Sequence, residues 1–332
     1  MSEWLQKQWF CKSVWHLLLL PLAAIYLGLI HLRKLLYKLN VFKSYALSVP
    51  VIVVGNISVG GTGKTPAVIY LAQQLKLAGY HPGIVSRGYG RSKSLVQAVS
   101  CGAPPDQVGD EPLLIAMRTA CPVFVGNDRV AAGLALVKQH PEVNVIISDD
   151  GLQHYRLKRS LELAVVDADR GFGNGFLIPA GPLRESVARL SLVDAVIVNG
   201  DAAALSLTVP NKNLFSMRLV GETFFSLDVK QKKSAAYFKK KKLVAVAGIG
   251  NPDRFFGHLR MMHLDFQSQA FPDHHMFCLE DFAPFEGKTI LMTEKDAVKC
   301  RTFISTDIWM LPVDAMIEQG LMKSILNKLA RI

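Results

Sequence analysis

Hydrophobic positions in this chain fall into two rhythms. The run VPVIVVGN, around Val51, is apolar and largely β-branched, as in a strand buried on both faces of a parallel sheet. PAVIYLAQQLKLAG then carries apolar residues at helical spacing and stops at Gly79. Strand-like HPGIVS, PVFVG, VNVIIS, LELAVVD and DAVIVN follow in alternation with helical patterns, which predicts an α/β unit with a mostly parallel sheet over 46–212. LFSMRLV and TFFSLDV read as a hairpin and, with a lysine-rich stretch, fill a linker over 213–242. A smaller α/β unit over 243–332 begins at LVAVAGIGNP and includes KTILMTEKD and IWMLPVD.

The segment 1–45 behaves differently. Ser13 to Leu32 passes twenty residues without an Asp, Glu, Lys or Arg, enough for a helix of about 30 Å, the thickness of a bilayer's hydrocarbon core. RKLLYKLNVFK follows, with Leu32, Leu35, Leu36 and Leu39 on one face and Arg33, Lys34 and Lys38 off it. No small-residue cleavage site follows the apolar run, so a secretory signal does not fit and a membrane helix with a basic interfacial flank does. Pro21, His16 and His31 count against a full span, leaving a single span or a helix lying in one leaflet.

Net charge is +11 over 332 residues, which favours a polyanionic partner: nucleic acid, an anionic membrane or a phosphorylated substrate. Seven of the lysines fall in thirteen residues, KQKKSAAYFKKKK, read as a solvated face or linker. Five widely spaced cysteines without a CxxC pair suggest neither a disulfide framework nor a zinc site.

Between the first strand and the first helix lies SVGGTGKT. Gly60, Gly61 and Gly63 allow backbone amides to turn onto phosphate oxygens, with Ser58 and Thr62 completing the loop. Lys64 reaches the β- and γ-phosphates and the Thr65 hydroxyl is a magnesium ligand. Ser58 stands where the general phosphate-loop motif has its first glycine. Asp149 and Asp150 follow an apolar strand over 143–147 and are placed to hold the metal directly or through water.

A nucleotide grip alone does not distinguish a switch, a motor and a transferase. TEKD, at 293–296, lacks the intervening residue of a guanine-specifying N/TKxD element. A transferase needs a base for the acceptor hydroxyl. Asp110 and Glu111 in VGDEPLL are candidates, although on residue type alone an N-cap with an acidic first helical turn is the favoured reading. Asp273, His274 and His275 in FPDHHMF form a second polar cluster. Arg87 and Arg91 in SRGYGR face a substrate phosphate or simply flank a glycine turn.

In order along the chain, GNISVGGTGKTP, SRGYGR, GDEP, SDDGLQH, IPAGPLRE, GIGNPDRFF, FPDHH and TEKDAVK resemble the tetraacyldisaccharide 4′-kinases of lipid A biosynthesis. Ser58 belongs to that family's version of the loop. The resemblance implies a P-loop NTPase-like fold, ATP and Mg2+ as cofactors, and phosphorylation of the 4′-hydroxyl of an acylated disaccharide 1-phosphate lipid. It places the enzyme at the cytoplasmic face of a bacterial inner membrane, with no nucleic acid and no obligate protein partner. It further implies Asp110 as general base with His274 as its partner, Lys64 on the phosphoryl oxygens, and Thr65, Asp149 and Asp150 at the metal. Glu111, Arg129 in GNDR and Glu185 in GPLRE join the phosphate and metal neighbourhood. A membrane-associated GTPase or ATPase switch without a lipid acceptor is the alternative, and a non-enzymatic lipid or nucleic-acid binder a third reading.

Overall fold

The computed structural model of the protein describes residues 8–10, 14–91, 95–205, 213–301, 303 and 307–332. Strands run in chain order β1 Val51–Gly55, β2 Pro82–Ser86, β3 Gln97–Ala98, β4 Val123–Val125, β5 Val145–Asp149, β6 Leu161–Asp167, β7 Ala195–Asn199 and β8 Leu214–Val220. They continue as β9 Thr223–Ser226, β10 Lys232–Ser234, β11 Leu243–Ala247, β12 Gln267–Ala270, β13 Thr289–Thr293, β14 Ile308–Leu311 and β15 Asp314–Ile317. The helices are α1 Trp15–Lys38, α2 Lys64–Leu77, α3 Pro105–Val108, α4 Asp110–Thr119, α5 Arg129–Gln139, α6 Ala235–Phe238, α7 Pro252–Met261, α8 Glu294–Ala297 and α9 Gly320–Leu329.

One sheet has nine strands in the order β15-β8-β7-β6-β1-β5-β2-β4-β3, and the seven from β8 to β4 are parallel. Its central strands are buried along their whole length because helices cover both faces. Strand alternation divides the core: Ile52 and Val54 face α2, α4 and α9, while Val51 and Val53 face α5 and the loops after β5 and β6. Since β1 lies between β5 and β6, the phosphate loop leaves the sheet at a reversal of strand order. The carboxyl ends of β2, β5, β6 and β7 present Ser86, Asp149, Asp167 and Asn199 along that same edge.

The second sheet has six strands, β10-β9-β14-β13-β11-β12, parallel from β14 to β12. Here the expected hairpin is corrected. β8 pairs with β7 and β15 in the first sheet, whereas β9 pairs with β14 and β10 in the second. The chain returns after β14, so Asp314–Ile317 and α9 complete the first sheet and do not belong to a separate 243–332 unit. Gly221 and Pro312 mark the two crossings and lie against one another. Pro312 lacks the amide needed to continue β14 in its ladder, which ends the strand there.

Helix α1 is continuous through Pro21 and joins the apolar run to its basic flank. Leu17, Leu18, Leu22, Ile25, Leu29 and Leu32 are exposed on it, so it is not a core helix. The free cysteines Cys101, Cys121, Cys278 and Cys300 fit the absence of a disulfide framework among the described residues, and Cys11 lies outside them.

TEKD acquires a structural meaning. Thr293 caps α8 by accepting from the Asp296 amide, and Asp296, fully buried, accepts from Thr293 Oγ1 at 2.7 Å and from the Gly248 amide at 2.9 Å. Its other oxygen lies 2.7 Å from Lys299 Nζ. Gly248 in turn accepts from the His274 amide, so Asp296 fixes the backbone that carries His274. Asp296→Ala strands the buried Lys299 ammonium and is expected to lower unfolding free energy by about 3–5 kcal/mol in urea or thermal denaturation. A loss below about 1 kcal/mol would refute this anchoring role.

Candidate active site

The phosphate loop holds its shape through backbone geometry and two amides. Gly60 and Gly63 adopt φ of 105° and 95°, and Gly63 immediately precedes α2, whose N-terminus favours anions. Asn56 Nδ2 donates to Thr62 Oγ1, and Asn199 Nδ2 donates to the Thr62 carbonyl. Ser58 bridges to Leu183, and Val59 donates to the Pro182 carbonyl, so IPAGPLRE braces the loop from the side. From the second unit, GIGNP packs directly on it: a Cβ on Gly250 would sit 2.7 Å from the Gly61 amide nitrogen.

Lys64 lies 3.5 Å from Asp150, whose carboxylate also accepts from Arg184 at 3.0 and 3.2 Å. Burial raises the Asp150 carboxyl, but Lys64 and Arg184 outweigh it and hold it far below the usual carboxylate range. Asp149 is the contrast. Burial, then Glu111 and Asp150, push it up to about 7; Ser86 donates to one oxygen and the other is buried without a partner. Arg129, buried beside this pair, donates to the Gly126 carbonyl, and burial takes it down to about 10 against the pull of Asp149 and Asp150.

A divalent cation fits this edge. Asp149 offers a partnerless oxygen in a crowd of carboxylates, and Thr65, buried in the first turn of α2, offers a hydroxyl on the same edge. Among the described residues no three His, Cys, Asp or Glu side chains form a metal cage, so the protein's donors at this edge are few and nucleotide phosphates and water would complete a magnesium shell. Asp150 is committed to Lys64 and Arg184.

Asp110 and His274 come from different units and meet. His274 Nδ1 lies 2.9 and 3.2 Å from the two Asp110 oxygens. Asp110 opens α4 and also accepts from the Glu111 amide, as the helix-start reading expects, and the same carboxylate faces His274. Burial raises its carboxyl, and the His274 hydrogen bond with Lys295 overcomes this, bringing it down to about 2. Burial lowers the His274 imidazole, yet the Asp110 hydrogen bond leaves it above its ordinary value. Lys295, from α8, sits 2.8 Å from Glu111, 3.5 Å from Asp273 and 4.0 Å from Asp110. His274 and Asp150 have φ of 63° and 47°. Left-handed backbone costs a non-glycine residue about 1–2 kcal/mol, a cost also met at Asn40, Ala120, Val229 and His263.

Other expected residues take quieter places. Glu185 is buried under α1, accepting from Gln153 at 2.8 Å and Tyr155 at 3.0 Å and paired with Lys34 at 2.5 Å. Both its oxygens serve that network beneath the helix. Arg91 donates to the Leu95 carbonyl and packs at Gly88, with φ of 66° and 79° at Gly88 and Gly90, as the turn reading expects. Arg87 is exposed, and Tyr89 beside it lies 5.0 Å from the His274 ring. Asp296, being buried against Gly248, cannot read a guanine base. Residue-type reasoning gave no role to Arg184, Gln153 and Lys295. Arg184 had a signal in its place within IPAGPLRE, and Lys295 one in the lysine of TEKD.

The model of the family described as tetraacyldisaccharide-1-P 4′-kinase, LpxK, matches residues 15–330. Tetraacyldisaccharide 4′-kinase of Methylobacillus flagellatus is 46% identical, covering 100% of this chain and 97% of its own. That of Dechloromonas aromatica is 49% identical, covering 99% and 98%. The crystal structure of LpxK from Aquifex aeolicus, described as in complex with ATP, superimposes with a TM-score of 0.79 at 30% identity, over 95% of this chain and 100% of that one. With the family model spanning nearly the whole sequence and these relatives matched end to end, the chain belongs to the tetraacyldisaccharide 4′-kinase family.

Proposed function

We propose that this chain transfers the γ-phosphate of ATP to the 4′-hydroxyl of a tetraacylated glucosamine disaccharide 1-phosphate, giving the 1,4′-bisphosphate. The observation that carries the reading is the Asp110–His274 contact at the sheet edge that presents the phosphate loop. A nucleotide switch has no use for a base paired across two units, whereas a hydroxyl acceptor needs one. Asp110, ionised at neutral pH, takes the hydroxyl proton, and His274 holds the carboxylate in aim. Lys64 neutralises charge on the transferring phosphoryl oxygens, and Arg184 with Asp150 orients Lys64. Asp149 and Thr65 would hold magnesium, whose charge offsets that of the nucleotide phosphates.

The acceptor's acyl chains belong in a bilayer, and α1 supplies an apolar surface to meet it. Its exposed leucines insert into one leaflet at the cytoplasmic face, where ATP is available, with the exposed Arg33 and Lys38 near anionic headgroups.

Purified protein with γ-labelled ATP, magnesium and the lipid disaccharide should yield labelled lipid. Asp110→Asn should lower kcat by about 10²–10⁴-fold, and His274→Ala by less, since the base remains. Nucleotide hydrolysis with no lipid labelling would refute the kinase reading. Magnesium removal should abolish transfer and leave Asp149 the carboxylate that titrates closest to neutrality, as read by carboxyl carbon NMR.

For the membrane, replacing Leu18, Leu22, Ile25 and Leu29 by Gln alters the exposed face and spares the packed one. Flotation with anionic vesicles should fall by about tenfold or more, given about 1.5–3 kcal/mol for each buried leucine. Undiminished flotation would move the membrane contact away from α1.

A further inference from the structure

Lys295 lies outside the nucleotide grip, on the far unit. Its ammonium meets three carboxylates: Glu111 and Asp110 from the start of α4, and Asp273 from the loop before His274. Asp273 Oδ1 is also 3.8 Å from His274 Nε2. The Asp110–His274 bond is thus enclosed, with Asp110 on the Nδ1 side, Asp273 on the Nε2 side, and Lys295 touching both carboxylates.

The backbone that delivers Lys295 is held by other residues. Thr293 and Asp296 fix the start of α8, Asp296 pairs with Lys299, and Arg118 ties Glu294 to the first unit at 2.6 Å. The lysine side chain is only 17% exposed, so confining this long chain has an entropic cost that holding α8 does not require. Its absence would leave Asp110, Glu111 and Asp273 to repel one another across the gap that His274 has to bridge.

We propose that Lys295 is a positioning residue of the phosphoryl transfer: it draws Asp110 and Glu111 of one unit and Asp273 of the other onto a single ammonium, which sets Asp110 in register with His274. This rests on the kinase reading. The Lys295 ammonium is taken up by these three carboxylates and not by the phosphate loop, so its removal should appear in kcat and not in ATP affinity. Arginine, which keeps the charge, should restore part of the rate.

The test uses the full chain in detergent, comparing wild type, Lys295→Met and Lys295→Arg for lipid phosphorylation, for binding of a fluorescent ATP analogue and for melting temperature. Lys295→Met is expected to lower kcat about 100-fold with analogue affinity held within about threefold, and Lys295→Arg to regain at least about tenfold of that loss. Full kcat in folded Lys295→Met, a loss that tracks analogue affinity, or no rescue by arginine would overturn the proposal. Should Lys295→Met fail to fold, Asp273→Asn carries the test at a less buried position: a kcat loss of about tenfold supports the proposal and an unchanged kcat overturns it. Wild type without transfer would instead overturn the kinase reading, and this proposal with it.

Discussion

A carboxylate that opens a helix of one sheet unit and an imidazole that closes a loop of the other lie 2.9 Å apart, and the arrangement of the molecule follows from keeping them so. Asp110 takes one hydrogen bond from its own unit, the Glu111 amide, while His274 and Lys295 meet it from the other. Further ion pairs cross the same boundary. Arg254 of α7 reaches Asp167 at 2.9 Å and Asp169 at 2.6 Å, and Arg118 of α4 reaches Glu294 at 2.6 Å. Charges paired across the boundary make the join directional, because displacement breaks several of these pairs at once.

Charge is sorted within the site as well as balanced. Asp150 and Asp149 are neighbours in sequence with opposite fates. Two cations hold the first ionised, whereas the second, more deeply buried and facing other carboxylates, is pushed towards neutrality. The distinction separates a residue that orients Lys64 from one with an oxygen to spare. It depends on a single peptide: Asp149 ends β5 in extended backbone and Asp150 turns left-handed, so the two side chains diverge.

Much of this was legible in the sequence where local rules decide it. Continuous apolar strands announced the parallel sheet, and the glycine loop between strand and helix announced the phosphate site. The doublet Asp149–Asp150 was placed by the end of its strand. Strand partners were not legible, because period-two patterning specifies a face but not a neighbour. Hence β8 and β9 read as a hairpin, and β15 was left with the wrong sheet. Lys295 escaped because its chemistry arises from three carboxylates that are distant in sequence. Glu185 was found as a residue but not in its surroundings, since nothing local links it to Lys34 on α1.

The paired crossings at Gly221 and Pro312 have a mechanical consequence. Two bodies tethered by one peptide can swivel freely, and each approach finds a new orientation. Two short tethers lying side by side suppress twist and leave bending about one axis as the soft motion. Were the two units to part, that arc would be their path of return, and the same nitrogen would meet the same oxygen without an angular search.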